Sequence, residues 1–342
     1  MPPTKHRVLL LVDKDLVPKN VPASEVAPAA RMEWDIFTTL KRRGHTVLAI
    51  GVHDDLTPIR QSVDEFKPTI CFNLLEAFDD VGVFDQNVVS YLELLKIPYT
   101  GCNPRGLTLA RDKALARKLL AYHRIAAPDF AVVQVGRKPT LPKRLRYPLI
   151  VKSLTFESSI GISQASVCAN EEQLVDRVQF IHETLLTPAI VEQFVDGREL
   201  YVGVLGNHRL RVFPVWEMDF AKMPGESWRI ATERVKWNVE YQEKHGIDTA
   251  EAKLAEDLAL RIQHLAKRTY RALELSGYAR IDFRMDAAGK AYVIEANPNP
   301  HLGKAEDFAQ SAIRSNMSYS RLLERIIALG TQWLPHRMAG LE

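Results

Sequence analysis

A chain of 342 residues, 46% apolar and 25% charged, has the make-up of a folded protein with about two domains or one multi-lobed enzyme. It excludes a disordered polar tail, and 45 Lys+Arg against 42 Asp+Glu, a net charge of +3, gives no electrostatic case for a nucleic-acid partner. Cys71, Cys102 and Cys168 are too far apart in sequence for a disulfide framework or a metal-ligand pair, and no apolar run nears the ~20 residues of a membrane span. The start, MPPTKHR, leads no apolar signal segment, so the expectation is a cytoplasmic α/β protein with no membrane partner.

Arg7–Val12 reads as a strand, 29–43 as an amphipathic helix stopped by Gly44, Thr46–Gly51 as a second strand, Leu56–Phe66 as a helix and Thr69–Asn73 as a third strand. Val83–Leu95 is a further helix, and this alternation argues for a parallel sheet covered on both faces. A dinucleotide site would need G-x-G-x-x-G after the first strand, where Asp13-Lys14-Asp15 stands instead. From about 105 a second unit follows: a helix over 107–123, strands Phe130–Val135, Leu149–Ser153 and Ile160–Val167, and a helix from Glu171 to Leu186. Strands Ala189–Val195, Glu199–Leu205 and Leu210–Glu217 come next, then a polar connection over 221–248 and a long helix over 249–275. Strands Tyr278–Met285 and Ala291–Ala296 and a helix around 317–329 complete the chain.

The most informative passage is Gly277–Pro300, two apolar runs flanking the turn Asp286–Lys290. With the turn at Ala288-Gly289, Asp282 lies opposite Glu295 and Arg280 opposite Asn297, backed by Ile281, Phe283, Tyr292 and Ile294 on the other face. Two opposed carboxylates and an amide oxygen need a cation between them, and an oxygen-only set suits Mg²⁺. On the residues alone, the alternative is a solvated hairpin with an Arg280–Glu295 ion pair.

R-I-D-F followed by V-I-E-A-N-P resembles the metal hairpin of the ATP-grasp enzymes, in particular their D-alanine–D-alanine ligase branch. The resemblance covers roughly 67–303. It implies that Asp282, Glu295 and Asn297 bind Mg²⁺, or Mn²⁺ in its place, and that Arg280 stabilises charge at an acyl-phosphate and tetrahedral intermediate. Tyr99-Thr-Gly101 with Asp112-Lys113 resembles the P-Y-T-G…D-K signature and implies Lys113 as a phosphate contact. Pro148–Lys152 implies a second phosphate lysine, Lys152, and Glu157–Gly161 a loop whose Ser158, Ser159 and Gly161 close over the phosphates. Ala189–Glu199 resembles the strand–turn–strand that holds the nucleoside, with the main chain of Glu192, Gln193, Phe194 and Val195 at the adenine and Glu199 at the ribose. Lys236-Trp237 occupies the place of a Lys-Tyr pair in a mobile loop, with Lys236 at the transferred phosphoryl group. Arg280, Ser158 and Lys236 are thus the implied catalytic groups and ATP the implied nucleotide.

The implied fold is a three-lobed α/β ATP-grasp architecture: an N-terminal parallel βαβ domain (1–104), a central α+β lobe (105–188), a C-terminal antiparallel-sheet lobe carrying the metal hairpin (189–330) and a tail (331–342). Substrate positions depart from the peptidoglycan ligases. The segment Asp13–Asn20 has no glycine, Asn73-Leu-Leu-Glu76-Ala77 replaces a His-Gly pair, and Pro298-Asn299-Pro300-His301 replaces a Thr-x-Pro-Gly turn. Glu76, Trp237 and His301 are the substrate candidates, His301 for substrate contact or proton transfer, although its residue type alone favours a structural histidine. The expectation is an ATP-dependent carboxylate–amine ligase acting on small molecules other than two D-alanines. A modifier of a peptide or protein terminus and an ATP-binding module without turnover are the alternatives. The oligomeric state stays open, homodimers being common in the resembled family.

Overall fold

The apolar run near the start of the chain forms β1 (Arg7–Asp13), and Val8–Val12 are fully buried, as a strand covered on both faces requires. The computed structural model describes residues 4–156, 159–220, 223, 227–333 and 335. Helix α1 (Arg31–Arg42) leads to β2 (Thr46–Val52), and α2 (Thr57–Phe66) leads to β3 (Ile70–Asn73), giving a parallel sheet with β1 in the middle. Helix α3 (Asp85–Leu94) follows.

The expected helix over 107–123 is two helices, α4 (Pro104–Arg111) and α5 (Lys113–Tyr122). Asp112 separates them because its Oδ1 accepts the Leu115 N–H at 2.9 Å and caps α5. Asn103 caps α4 in the same way, through the Gly106 N–H at 2.9 Å, with Pro104 at the first helical position. Strands β4 (Phe130–Val133), β5 (Leu149–Ser153) and β6 (Val167–Cys168), helix α6 (Glu171–Thr184) and strand β7 (Ala189–Gln193) build a second, antiparallel sheet in the order β4-β7-β5-β6. The strand expected over 160–167 shrinks to β6, since Ser159 and Gly161 turn the chain at φ +63° and +70°. β7 belongs to this sheet, so the change of sheet comes after Gln193 rather than at 189.

The third sheet contains β8 (Arg198–Leu205), β9 (Arg211–Val212) and β10 (Trp216–Asp219). The segment read as a polar connection holds two short helices, α7 (Glu233–Trp237) and α8 (Val239–His245), and the start of the expected long helix is a strand, β11 (Asp248–Glu251), before α9 (Glu256–Ala272). Pairing of β11 with β10 explains the difference: three of its four side chains are solvent-exposed or nearly so, leaving no apolar face for a helix to bury. Strands β12 (Tyr278–Met285) and β13 (Ala291–Pro298) complete the antiparallel order β11-β10-β8-β12-β13, with β9 on β8. Helices α10 (Asp307–Arg314) and α11 (Tyr319–Thr331) return to the first sheet, where Leu322, Leu323 and Ile326 share a core with Val8, Leu10 and Phe72. All three cysteines are free and buried, and burial lifts their thiols to about 12, 12 and 11 for Cys71, Cys102 and Cys168.

The first sheet meets the β12–β13 hairpin at a close backbone contact. Gly277 has φ +70°, and a Cβ there would lie 2.4 Å from the Gly101 carbonyl oxygen. Beside it, Asn299 Oδ1 accepts the Cys102 N–H at 2.7 Å. Gly289, in the hairpin turn at φ +77°, has open space around its missing Cβ. Gly289→Ala should therefore cost about 1 kcal/mol from backbone strain alone, whereas Gly277→Ala should cost about 3 kcal/mol or more in urea unfolding. Equal losses in the two variants would show that the junction tolerates separation.

Candidate active site

Strands β12 and β13 pair as expected where chemistry is concerned, Asp282 opposite Glu295 and Arg280 opposite Asn297. A β-bulge between Asp282 and Phe283 then shifts the register toward the turn, so Phe283 faces Val293 and Arg284 faces Tyr292. The backing of the polar patch is accordingly Ile281, Phe283, Val293 and Ala296, all buried, instead of Ile281, Phe283, Tyr292 and Ile294. Tyr292 pairs with Arg284, and Ile294 lines the neighbouring cleft. The extra residue of a bulge rotates the strand locally, and this one turns Ile294 into the cleft while leaving Glu295 in place.

A cleft between the second and third sheets offers about 650 Å³ of space, part of it open to solvent. Pro128, Ile150, Ile162, Phe194, Ile230 and Ile294 make one part apolar; Lys152, Lys236, Asp282 and Glu295 make another part ionic. Gln193, Val195 and Glu199 also line it. Lys113 adjoins it from the first turn of α5, its Nζ 3.5 Å from Glu295 Oε1 and donating to the Phe156 carbonyl at 2.5 Å. Burial would raise the Glu295 pKa, but Lys113, Lys236, Lys152 and Arg280 prevail and lower it, so this carboxylate stays ionised. Asp282 goes the other way: burial raises its pKa, and Arg280 and Lys236 offset only part of that.

Arg280 holds Asp282, not Glu295. Its Nε and Nη2 donate to the two Asp282 oxygens at 2.8 Å each, and Asn297 Nδ2 donates to Asp282 Oδ2 at 2.9 Å. Asp282, Glu295 and Asn297 therefore form one patch whose donors are carboxylate and amide groups, and Glu295 accepts no hydrogen bond from the described residues. Among the described residues no three His, Cys, Asp or Glu gather into a cage of their own. Two carboxylates beside lysines that can hold phosphates fit Mg²⁺, which commonly shares its coordination sphere with substrate phosphates and water.

Several expected contacts are engaged within the protein. The buried Glu192 carboxylate accepts from Arg117 Nε at 2.7 Å and Lys152 Nζ at 2.9 Å, so its side chain anchors Lys152. The Gln193 and Phe194 N–H groups are taken by the Asp129 and Pro148 carbonyls at 2.8 and 3.3 Å, because β7 is an inner strand of its sheet. Glu199 accepts from Tyr201 Oη at 2.8 Å and from Arg284 Nη1 at 3.1 Å. Ser159 Oγ donates to the Ala231 carbonyl at 2.8 Å and the Gly161 N–H to Glu233 Oε2 at 3.1 Å, so both join their loop to the 228–236 segment instead of pointing at open space. Ser158 and the Trp237 side chain lie outside the described residues. Glu76 and His301 are exposed and do not line the cleft; His301 Nδ1 accepts the Gly303 N–H at 3.1 Å, the structural alternative for that residue.

Two arginines complete the site that the sequence reading had not singled out. Arg117 stands one helical turn beyond Lys113 on α5, an i, i+4 spacing that places both on one face. Arg284 is two residues beyond Asp282 on β12, hence on the same strand face, and donates to the carbonyls of Val195, Gly197 and Arg229 at 3.0, 3.0 and 2.6 Å. Each spacing was present in the sequence as the detectable signal.

Burial alone would raise Glu192, but Arg117 and Lys152 hold it at about 2, against an ordinary 4.5. A carboxylate whose folded pKa lies below its unfolded one stabilises the fold fully above the unfolded value and loses that contribution as pH falls toward the folded value. Urea unfolding should therefore show a stability loss between about pH 4.5 and 2 that reaches about 3 kcal/mol over the whole titration and is missing from Glu192→Gln. The same pH slope in both chains would place that loss elsewhere.

The comparisons with known proteins agree with this geometry. The profile described as D-ala D-ala ligase C-terminus matches residues 119–328. A D-alanine–D-alanine ligase of Syntrophotalea carbinolica is 34% identical over 303 residues, 86% of this chain and 88% of that protein. One from Desulfotalea psychrophila is 33% identical over 256 residues, 72% of this chain and 74% of its own length. An uncharacterized protein of Sinorhizobium fredii is 29% identical over 305 residues, 88% of this chain and 87% of that protein. In fold, the crystal structure of the Bacillus anthracis D-alanine–D-alanine ligase complexed with ATP superposes with a TM-score of 0.74 over 96% of this chain and 98% of that one, at 19% identity. The chain belongs to the D-alanine–D-alanine ligase family of ATP-grasp enzymes, ATP-dependent ligases that form a carbon–nitrogen bond.

Proposed function

We propose that this ligase joins a small-molecule carboxylate to an amine through an acyl-phosphate, with ADP and inorganic phosphate as the other products, and that its substrates are not two D-alanines. One observation carries the reading: a single cleft combines apolar side chains suited to a flat base with Lys152, Lys236, Asp282 and Glu295 lining the same space. In this reading the nucleoside lies among Ile150, Phe194 and Ile294, near the Phe194 carbonyl and Val195 N–H. Glu199, oriented by Arg284 and Tyr201, accepts from the ribose.

Lys113 and Lys152 hold the phosphates, and Asp282, Glu295 and Asn297 hold Mg²⁺. Bound there, the ion neutralises phosphate charge and aligns the terminal phosphoryl group. The substrate carboxylate oxygen attacks the γ-phosphorus as the bond to ADP breaks. The amine nitrogen then adds to the acyl carbon, and phosphate leaves as the amide forms and the nitrogen releases its proton. Arg280, beside Asp282, stabilises the charge that develops on the acyl oxygen, while Lys236 meets the phosphoryl group in transfer. The contribution of these residues is positioning and electrostatics.

Two segments exclude water in this reading. Besides the Ser159 and Gly161 contacts, Gln164 and Trp228 exchange hydrogen bonds at 3.0 and 2.8 Å across the same seam, joining the two segments beside the cleft. A sealed cleft protects an acyl-phosphate from hydrolysis. The departures after the metal strand, Pro298-Asn299-Pro300-His301, and the glycine-free stretch Asp13–Asn20 support substrates other than two D-alanines.

Asp282→Asn and Glu295→Gln should each lower ATP-dependent phosphate release, assayed over a panel of carboxylic acids with hydroxylamine as acceptor, by about 100-fold or more. Their circular dichroism and thermal unfolding should stay close to those of the native chain. Near-native turnover in both variants would reject the assignment of the two carboxylates.

A further inference from the structure

Arg284 stands directly opposite Glu199 on the paired strands β12 and β8, and both line the cleft. Its guanidinium joins three segments. Nε and Nη2 donate to the Val195 and Gly197 carbonyls at 3.0 Å each, on the link between the second and third sheets. Nη1 is shared: it donates to Glu199 Oε2 at 3.1 Å and to the Arg229 carbonyl at 2.6 Å. The side chain is 6% exposed, and its cation lies 5.5 Å from the centre of the Phe194 ring. A guanidinium is a rigid planar fork, so a shift at one of these acceptors is felt at the others.

The Arg229 carbonyl belongs to the segment that brings Lys236 to the cleft. Trp228 meets the Phe194 ring edge-on at 5.2 Å, and Ile230 and Ala231 line the cleft. Three residues beyond Arg229, Thr232 caps α7 by accepting the Val235 N–H at 3.2 Å, and α7 carries Lys236. Ala231 and Glu233 of the same segment hold Ser159 and Gly161. The hydrogen bond from Arg284 thus ties the lysine-bearing segment to Glu199.

Glu199 itself keeps room for a sugar. Its Oε1 accepts from Tyr201 Oη at 2.8 Å and its Oε2 from Arg284, which leaves a second lone pair on each oxygen for a hydroxyl. A vicinal diol donating to both oxygens would fix the carboxylate, and through Nη1 the Arg229 carbonyl.

We propose that Arg284 is a positioning residue that links recognition of the nucleotide's sugar to phosphoryl transfer. Ribose hydroxyls on Glu199 hold Arg284 on the Arg229 carbonyl, and α7 then presents Lys236 to the transferred group. The sugar is therefore sensed in the rate of transfer as well as in binding. This rests on the ligase reading above, and the test separates the two.

Hydroxylamine, ATP and Mg²⁺ with a carboxylic-acid panel first identify, through hydroxamate formation, which acid the full chain activates. With that acid, ATP and dideoxyATP, which lacks both ribose hydroxyls, are compared at saturation. In the native chain kcat should be about tenfold or more lower with dideoxyATP, beyond any rise in KM. Arg284→Lys keeps the charge without the fork; it should lower kcat with ATP about tenfold and bring the two nucleotides to within about threefold of each other. A merely structural loss would slow both nucleotides alike and keep the native ratio. Native kcat values within about threefold of each other, with the difference confined to KM, overturn the assignment even if the variant fails to fold. The native ratio retained in a folded Arg284→Lys overturns it as well. Hydroxamate from no acid removes the ligase reading and this inference with it, an outcome distinct from hydroxamate formed at equal kcat.

Discussion

Two carboxylates directly opposite each other on neighbouring strands repel, and the rest of the site is arranged to make that juxtaposition stable. Asp282 takes a forked arginine and Glu295 the field of three lysines; burial raises both pKa values, and only at Glu295 do the cations outweigh it and bring the value down. Each cation comes from a different element: Arg280 from β12, Lys113 from α5, Lys152 from β5 and Lys236 from α7. The two sheets therefore have to pack as they do for the hairpin to hold both charges.

Support for that arrangement is itself ionic. Lys152 sits on a buried strand, where an unpaired ammonium would be costly, and Glu192 with Arg117 fixes it. Arg117 also donates to the Ile294 carbonyl, the residue displaced by the bulge. One guanidinium thus ties the inner strand of the second sheet to the irregular point of the third. The bulge fits the same logic: it reorients Ile294 toward the cleft and leaves Glu295 and Asn297 in register with Asp282 and Arg280.

Much of this was legible in the chain. The β12–β13 hairpin, its polar pairs and the parallel βαβ start follow from period and turn chemistry, which act within a few residues. Asp112-Lys113 and Lys152 were visible through family resemblance. Arg117 and Arg284 carried a readable spacing, but charged residues at i+4 or i+2 commonly do no more than face solvent, and only their burial distinguishes them.

Local alternation of apolar and polar residues, together with glycine and asparagine at fixed points, was enough to determine which strands exist and which two of them present acid to acid. Whether Arg280 meets Glu295 or Asp282, which cations the Glu192 carboxylate holds, and which main-chain groups of β7 are already paired were decided by tertiary structure. Those outcomes depend on what a second sheet brings within 3 Å, and separation along the chain carries no measure of that distance.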